Sequence, residues 1–386
     1  LAKSNSAERK DRGFMSDMKI KSLIAETFLE VADALETGQY GKKPVIGFAS
    51  EGSEHGEDNI TRAMELAEAK GLKAVLIQGE DIHKQMEVML DSGEIDAAVT
   101  MHYPFPIGVS TVGKVITPGI GKPMYIATTT GTSDTDRVCG MVKNAIYGIT
   151  AAKADGVEHP TVGIANIDGA RQTEKALLKL KEQGYDICFA ESARADGGIV
   201  MRGNDLLMGT PDIMVMDSLT GNLMMKIFSA YTTGGNYESL GFGYGPGIGD
   251  GYERLIMIVS RASGAPVIAG AMEFATNLVN HNWKKVAAAE FAAAKKAGLE
   301  AILEEIAAAG KKDTSANEAV TAPPKEICTA QIPGIEVMDL EDAVHALWKE
   351  GIYAESGMGC TGPIVLMADD KRDRAYEILK NAGYVG

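Results

Sequence analysis

The chain has 386 residues, 45% of them apolar and 24% charged, with a formal net charge of -15. That length suits two or three domains with a packed core, while the acidic balance argues against binding nucleic acid or an anionic membrane surface. No run of about eighteen apolar residues is present to cross a bilayer, and residues 1–21 lack the apolar stretch of a secretory signal.

Apolar residues at helical spacing (Ile20, Leu23, Ile24, Phe28, Leu29, Val31 and Leu35) predict an amphipathic helix over 16–37. The run Pro44 to Ala49 then reads as a strand, followed by a polar turn, a helix closed by Gly71, and a second strand over Lys73 to Ile77. The same rhythm gives a helix over His83 to Ser92, strands at Ala97–Thr100 and Pro123–Ala127, and a helix from Met141 to Ala154. A second series follows. Strands are expected at Thr161–Ala165, Asp186–Ala190, Ile213–Met216, Leu255–Val259 and Pro266–Ala269, with helices over Arg171–Gln183 and Gly221–Tyr231. Strand and helix in alternation predict α/β architecture, here two parallel-sheet domains flanking a cleft. Residues 285–312 read as helices and 311–324 as a linker. A small C-terminal α/β unit follows, with a helix at Leu340–Gly351, a strand at Pro363–Met367 and a helix at Arg372–Ala382. The expected division is a helical segment 1–40, α/β domains 41–150 and 151–285, helices and linker 286–324, and the terminal unit 325–386.

The four cysteines, Cys139, Cys188, Cys328 and Cys360, form no CxxC pair. They point to reduced thiols in a cytoplasm and to no metal site. Cys188 falls in an apolar strand and reads as core. Cys360 differs, because Gly357, Gly359 and Gly362 surround it just ahead of an apolar strand. Small neighbours leave a thiol accessible, and successive turn amides such as those of Thr361 and Gly362 can hold an anion. An inert turn cysteine is the alternative.

Four further segments carry candidate chemistry. In Asp217 to Lys226 a strand runs into a helix through Asp217, Ser218, Thr220 and Asn222, a junction suited either to phosphate or to ordinary N-capping. Ser260-Arg261 follows a strand and offers a hydroxyl and a guanidinium fork. The alternate glycines of Gly241 to Gly251 bar a regular element and read as a loop, either ligand-approaching or simply mobile. Thr128 to Thr130 form a dense hydroxyl run, with Thr129 and Thr130 as candidate anion ligands. His102 is a candidate proton shuttle, with structural hydrogen bonding as its alternative.

Together, Ser53-Glu54-His55-Gly56, Thr100 to Tyr103, Phe105 to Gly113, Arg194 to Gly198, Arg202 to Asp205 and Glu355 to Pro363 resemble the component C alpha subunit of glycine, sarcosine and betaine reductase. The likeness runs from about Lys43 to the C-terminus. Asp217 to Lys226 and Ser260-Arg261 are more distantly similar to phosphate acyltransferases and phosphotransacetylases. That likeness implies two domains of the isocitrate/isopropylmalate dehydrogenase-like type. Phosphotransacetylases carry an acidic catalytic residue soon after their Ser-Arg pair, whereas Ala262 to Ala271 contains no Asp or Glu. The resemblance implies an acetyl thioester on Cys360, attacked by inorganic phosphate to give acetyl phosphate, with no organic cofactor. It also implies a beta subunit and a selenoprotein, selenoprotein A, as partners within an oligomer. The alternatives are a phosphate acyltransferase using acyl-carrier protein or coenzyme A, and a non-catalytic scaffold.

Overall fold

A computed structural model describes residues 43–194, 197–313, 320–336, 339–359 and 362–385, together with scattered helical positions between 21 and 32. The helix expected over 16–37 otherwise lies outside the described residues, as do Cys360 and Thr361.

The first βα units run as expected: β1 (Val45–Ala49), α1 (Gly56–Ala69), β2 (Lys73–Ile77), α2 (Ile82–Ser92) and β3 (Ala97–Thr100). Then come β4 (Val109–Ile116), β5 (Pro123–Thr132) and α3 (Arg137–Ala154). The second series is β6 (Thr161–Ala165), α4 (Ala170–Glu182), β7 (Cys188–Phe189), β8 (Val200–Met201), α5 (Gly203–Met208), β9 (Ile213–Val215) and α6 (Ser218–Ala230). It is completed by β10 (Gly245–Ile248), β11 (Ile256–Ile258), α7 (Ala265–Asn280), α8 (Trp283–Lys296) and α9 (Leu299–Asp313).

The two strand series meet in one mixed sheet of eleven strands among the described residues, in the order β2-β1-β3-β11-β10-β4-β5-β9-β6-β7, with β8 beside β6. The outer pairs are parallel, while β11–β10, β10–β4 and β4–β5 are antiparallel. The central strands are the ones the sequence conceals. β10 lies inside the glycine run that reads as a loop. Gly245 has φ of +88°, and a Cβ there would sit 1.7 Å from the Val112 carbonyl oxygen. Glycine lets β10 pass closely by β4, so residues 245–248 of the run form buried sheet while the residues on either side stay irregular. Pro266 to Ala269 is also corrected: it opens α7, where the proline occupies a position whose N–H would have no intrahelical partner. Ten residues of α7 are buried, so it lacks the polar face that would announce a helix. Cys188 is exposed, because β7 ends the sheet and pairs with β6 alone.

The C-terminal unit has its own antiparallel sheet, β12 (Ala330–Pro333), β14 (Gly362–Met367) and β13 (Ala354–Gly359), covered by α10 (Leu340–Lys349) and α11 (Arg372–Asn381). Its apolar core includes Ile332, Val344, Leu347, Val365 and Leu379. It docks on the main body through Glu336, which accepts hydrogen bonds from the Arg171 amide at 2.7 Å and the Gly169 amide at 3.3 Å. A carboxylate at the start of α4 answers the helix's unsatisfied N–H groups.

Candidate functional site

The densest polar group lies where β11 ends. Ser260 begins a tight turn in which its amide donates to the Ser263 hydroxyl at 2.9 Å. The segment Ser53 to Gly56 braces this turn: the Glu54 amide donates to the Arg261 carbonyl at 2.9 Å, and His55 Nε2 lies 3.1 Å from the Ala262 carbonyl oxygen. Asn59 locks it from α1, donating to the Ser263 carbonyl at 3.1 Å and accepting from the Ala265 amide at 2.8 Å. So Ser53 to Gly56 supports the Ser-Arg pair.

At the centre of the group is Glu238, whose side chain is fully buried. Its Oε1 accepts from Lys226 Nζ at 2.6 Å, the Ser260 hydroxyl at 2.7 Å and the Tyr244 hydroxyl at 3.1 Å. Its Oε2 accepts from the Ser263 hydroxyl at 2.7 Å. Four donors, one of them the Lys226 cation, satisfy a charge that burial alone would make costly. Burial, and then the Glu238 charge, hold the Tyr244 phenol protonated far above its ordinary range. The Ser260 proton is directed at Glu238, and its oxygen accepts from the Ala262 amide at 3.1 Å. Arg261 is exposed and has no acidic partner among the described residues. Its Nε would lie 3.3 Å from a Cβ on Gly52, so glycine leaves that guanidinium room.

The remaining candidates sit at the other end of α6. Asp217 is its N-cap and accepts from the Leu219 and Thr220 amides at 3.1 and 3.0 Å and from the Thr220 hydroxyl at 2.7 Å. Arg137 reaches Asp217 at 3.0 Å and Asp168 at 3.4 Å. Burial acts to raise the Asp217 pKa, but the Thr220 and Leu219 donors and the Arg137 charge outweigh it and hold the carboxyl below its ordinary value. Ser218, Asn222 and Lys226 recur at intervals of four and share one face of α6. Eight residues separate Ser218 from Lys226, roughly 12 Å along the axis. One polar stripe thus links Ser218 to Lys226, which donates to the Ser260 hydroxyl at 3.3 Å.

Thr129 and Thr130 are tied into the sheet. Thr129 donates to the Tyr244 carbonyl at 2.6 Å, and its hydroxyl and that of Thr130 both bond Thr111, at 2.7 and 3.1 Å. Their hydroxyls bridge β4, β5 and β10. His102 is exposed beyond β3, with its ring 6.1 Å from that of His83 and no bond to the Glu238 group. Gly359 and Gly362 pair across the β13–β14 hairpin; the predictions for Cys360 and Thr361 fall outside the described residues. Of the other cysteines, burial and then Asp136 push the Cys139 thiol up to about 12, and burial and then Glu355 raise Cys328.

Sequence reasoning missed Glu238, Arg137 and Arg202. Glu238 is 22 residues from Ser260, and the stretch Asn236-Tyr237-Glu238-Ser239 gives no periodic or motif signal. Arg202 lines a pocket of about 460 Å³ beside the N-terminal end of α6. Met201, Met214, Met216, Met224 and Leu206 give that pocket apolar walls. Among the described residues no cluster of three or more His, Cys, Asp or Glu side chains is placed to hold a metal ion. None of their helices is long and apolar enough to cross a membrane.

A family model described as "Fatty acid synthesis protein" matches residues 29–366. The alpha subunit of glycine/sarcosine/betaine reductase complex component C from Peptoclostridium acidaminophilum is 58% identical over 96% of this chain and 100% of its own length. Phosphate acyltransferases match over shorter stretches. That of Thermotoga maritima is 28% identical over 36% of this chain and 45% of its own length, and that of Brucella ovis 32% identical over 22% and 25%. The chain therefore belongs to the fatty acid synthesis protein family, in the group that includes the component C alpha subunit of glycine/sarcosine/betaine reductase.

Proposed function

We propose that the protein is an acyltransferase that holds an acetyl group as a thioester on Cys360 and passes it to inorganic phosphate, releasing acetyl phosphate within a reductase complex. The observation that carries this reading is the convergence of Lys226 and Ser260 on buried Glu238, followed in sequence by the exposed Arg261, which has no acidic partner among the described residues. In this reading Arg261 and the open side of Lys226, which is 39% exposed, hold the phosphate dianion. Glu238 fixes Lys226 and Ser260 in place. Phosphate oxygen attacks the thioester carbonyl, the C–O bond forms, and the C–S bond breaks. The proton carried by hydrogen phosphate ends on the Cys360 sulfur, so the step balances without an added reagent. The developing oxyanion is assigned to the amides of Thr361 and Gly362.

The docking of the C-terminal unit supports this reading. Glu336 bonds the start of α4, next to Asp168, and Asp168 shares Arg137 with Asp217 at the start of α6. Gln172 of α4 donates to Asp339 at 3.2 Å, and Ser356 of β13 donates to Glu341 of α10 at 2.6 Å. The strand leading to Cys360 is thereby tied to α10, whose start is docked on α4. The thioester is assigned to the start of α6, with phosphate at the Lys226 end.

The partners implied are a beta subunit and a selenoprotein, as the relative's membership of a reductase complex supports. A second reading, acyl transfer from acyl-carrier protein or coenzyme A, is favoured by the phosphate acyltransferase matches and by the apolar pocket beside Thr220. Phosphate-dependent release of acetyl phosphate from the acetylated protein separates the two. Arg261→Ala should raise the KM for phosphate about 100-fold, by loss of a charge-assisted contact. Transfer from acetyl phosphate to coenzyme A that is undiminished in Cys360→Ala would support the second reading.

A further inference from the structure

The C-terminal unit closes on itself. Its core runs from Ala330 to Val385 in sequence and takes in no residue of the main body. Among the described residues, neither core of the main body takes in a residue beyond Ile306. What joins the two bodies is polar. The Gly169 and Arg171 amides donate to Glu336, the Gln172 side chain donates to Asp339, and Lys175 donates to the Gly383 carbonyl at 2.5 Å. These donors all lie at the N-cap and in the first two turns of one helix, α4. The acceptors lie just before α10, at its N-cap, and just beyond α11. The contact also gathers like charges. Burial first, and then the neighbouring Asp168 and Asp339 carboxylates, raise Glu336 above its ordinary pKa against the pull of the two amides. Two bodies with separate cores, joined by polar contacts to one helix end, are free to move relative to one another. Residues 320–329, which lead into β12, belong to no helix or strand and leave room for a hinge.

We propose that the C-terminal unit is a hinged arm that docks on the start of α4 and leaves it as one folded body, with Glu336 as the latch. Its use rests on the acyl-transfer reading above. The β13–β14 hairpin ends at the Gly359–Gly362 pair, and Cys360 is one of the two residues that join that pair in sequence. Each strand of the hairpin has 6 residues, which makes it about 20 Å long. A rotation of the unit by about 30° therefore carries the hairpin tip on the order of 10 Å. A thiol on such a tip takes its acyl group from another subunit with the arm undocked and gives it up to phosphate with the arm docked.

The test is a distance measured by pulsed electron paramagnetic resonance on the purified full-length chain. One nitroxide is placed on exposed Cys188 of β7 and one on α11 through Arg374→Cys, also an exposed position. Cys328→Ser and Cys360→Ser remove competing thiols, and Cys139 is buried. The expected result is two distance populations, docked and undocked. Glu336→Ala should lower the docked-to-undocked ratio about 10-fold, by loss of hydrogen bonds to a charged group. Gln172→Ala should shift it in the same direction. The circular dichroism spectrum should stay that of the wild type, because neither side chain belongs to a core. One narrow distance that neither variant changes would overturn the proposal. So would unfolding of the unit in Glu336→Ala, since the arm must stay folded when undocked. Cys360 is replaced throughout this measurement, so its outcome is independent of the acyl chemistry, which the adduct on Cys360 tests separately.

Discussion

Glu238→Gln isolates the charge at the centre of the site with almost no change of shape. The carboxylate accepts from Lys226, Ser260, Tyr244 and Ser263. An amide keeps one acceptor oxygen and turns N–H groups toward the other donors, so at least one buried hydroxyl must rotate away. That reorganisation costs about 1–2 kcal/mol. Lys226 also loses its partner, but it is 39% exposed and water recovers much of the interaction, leaving about 1 kcal/mol. A total of about 2–3 kcal/mol corresponds to a fall in Tm of roughly 4–8 °C for a cooperative unit of domain size. Activity should fall further, because Lys226 and Ser260 are no longer held for phosphate: about 100-fold in kcat/KM for phosphate. Glu238→Asp retains the charge and should recover part of both losses. Scanning calorimetry and phosphate-dependent acetyl phosphate release give the two readings. Wild-type Tm and wild-type phosphate KM in Glu238→Gln would refute the role assigned to this carboxylate.

Three other outcomes follow from the geometry. A Cβ on Gly221 would sit 1.8 Å from the Thr128 carbonyl oxygen, so Gly221→Ala should destabilise by at least about 3 kcal/mol in denaturant titration. The Asp217 pKa is lowered in the fold, so its contribution is present above the ordinary value of 3.8 and is lost as pH falls through the lower folded value. Asp217→Asn should therefore cost about 1 kcal/mol at neutral pH, and its stability should converge on that of wild type in a pH series taken below 3.8. Alkylation mapped by mass spectrometry at pH 8 should modify exposed Cys188 and spare buried Cys139, whose thiol is pushed up to about 12.

What the sequence disclosed and what it hid have physical causes. β1, β3, β6, β9 and β11 are short apolar runs bounded by polar turns, and strand is what such runs favour. β10 was hidden because its glycines serve a close approach of strands, and composition alone cannot tell that from a loop. The Pro266 run was misread because a helix buried on nearly every side loses its periodicity. The same limit applies to α6, where apolar residues occur on both the buried and the exposed sides, so the sequence shows the helix but not its free face. Ser260 and Arg261 were legible as polar residues following a strand, and Lys226 as the last residue of the polar segment from Asp217. Glu238 was not, because its importance lies in a fold that brings it beside residues 22 positions away.

The central claim is that Cys360 carries the acyl group. The direct measurement is to incubate the purified protein with acetyl phosphate, quench in acid, and map the adduct by mass spectrometry. The account predicts one acetyl group on Cys360, absent from Cys360→Ala and discharged by added phosphate. An acetyl group on another residue, or wild-type acetyl transfer to coenzyme A by Cys360→Ala with no adduct on Cys360, would contradict it.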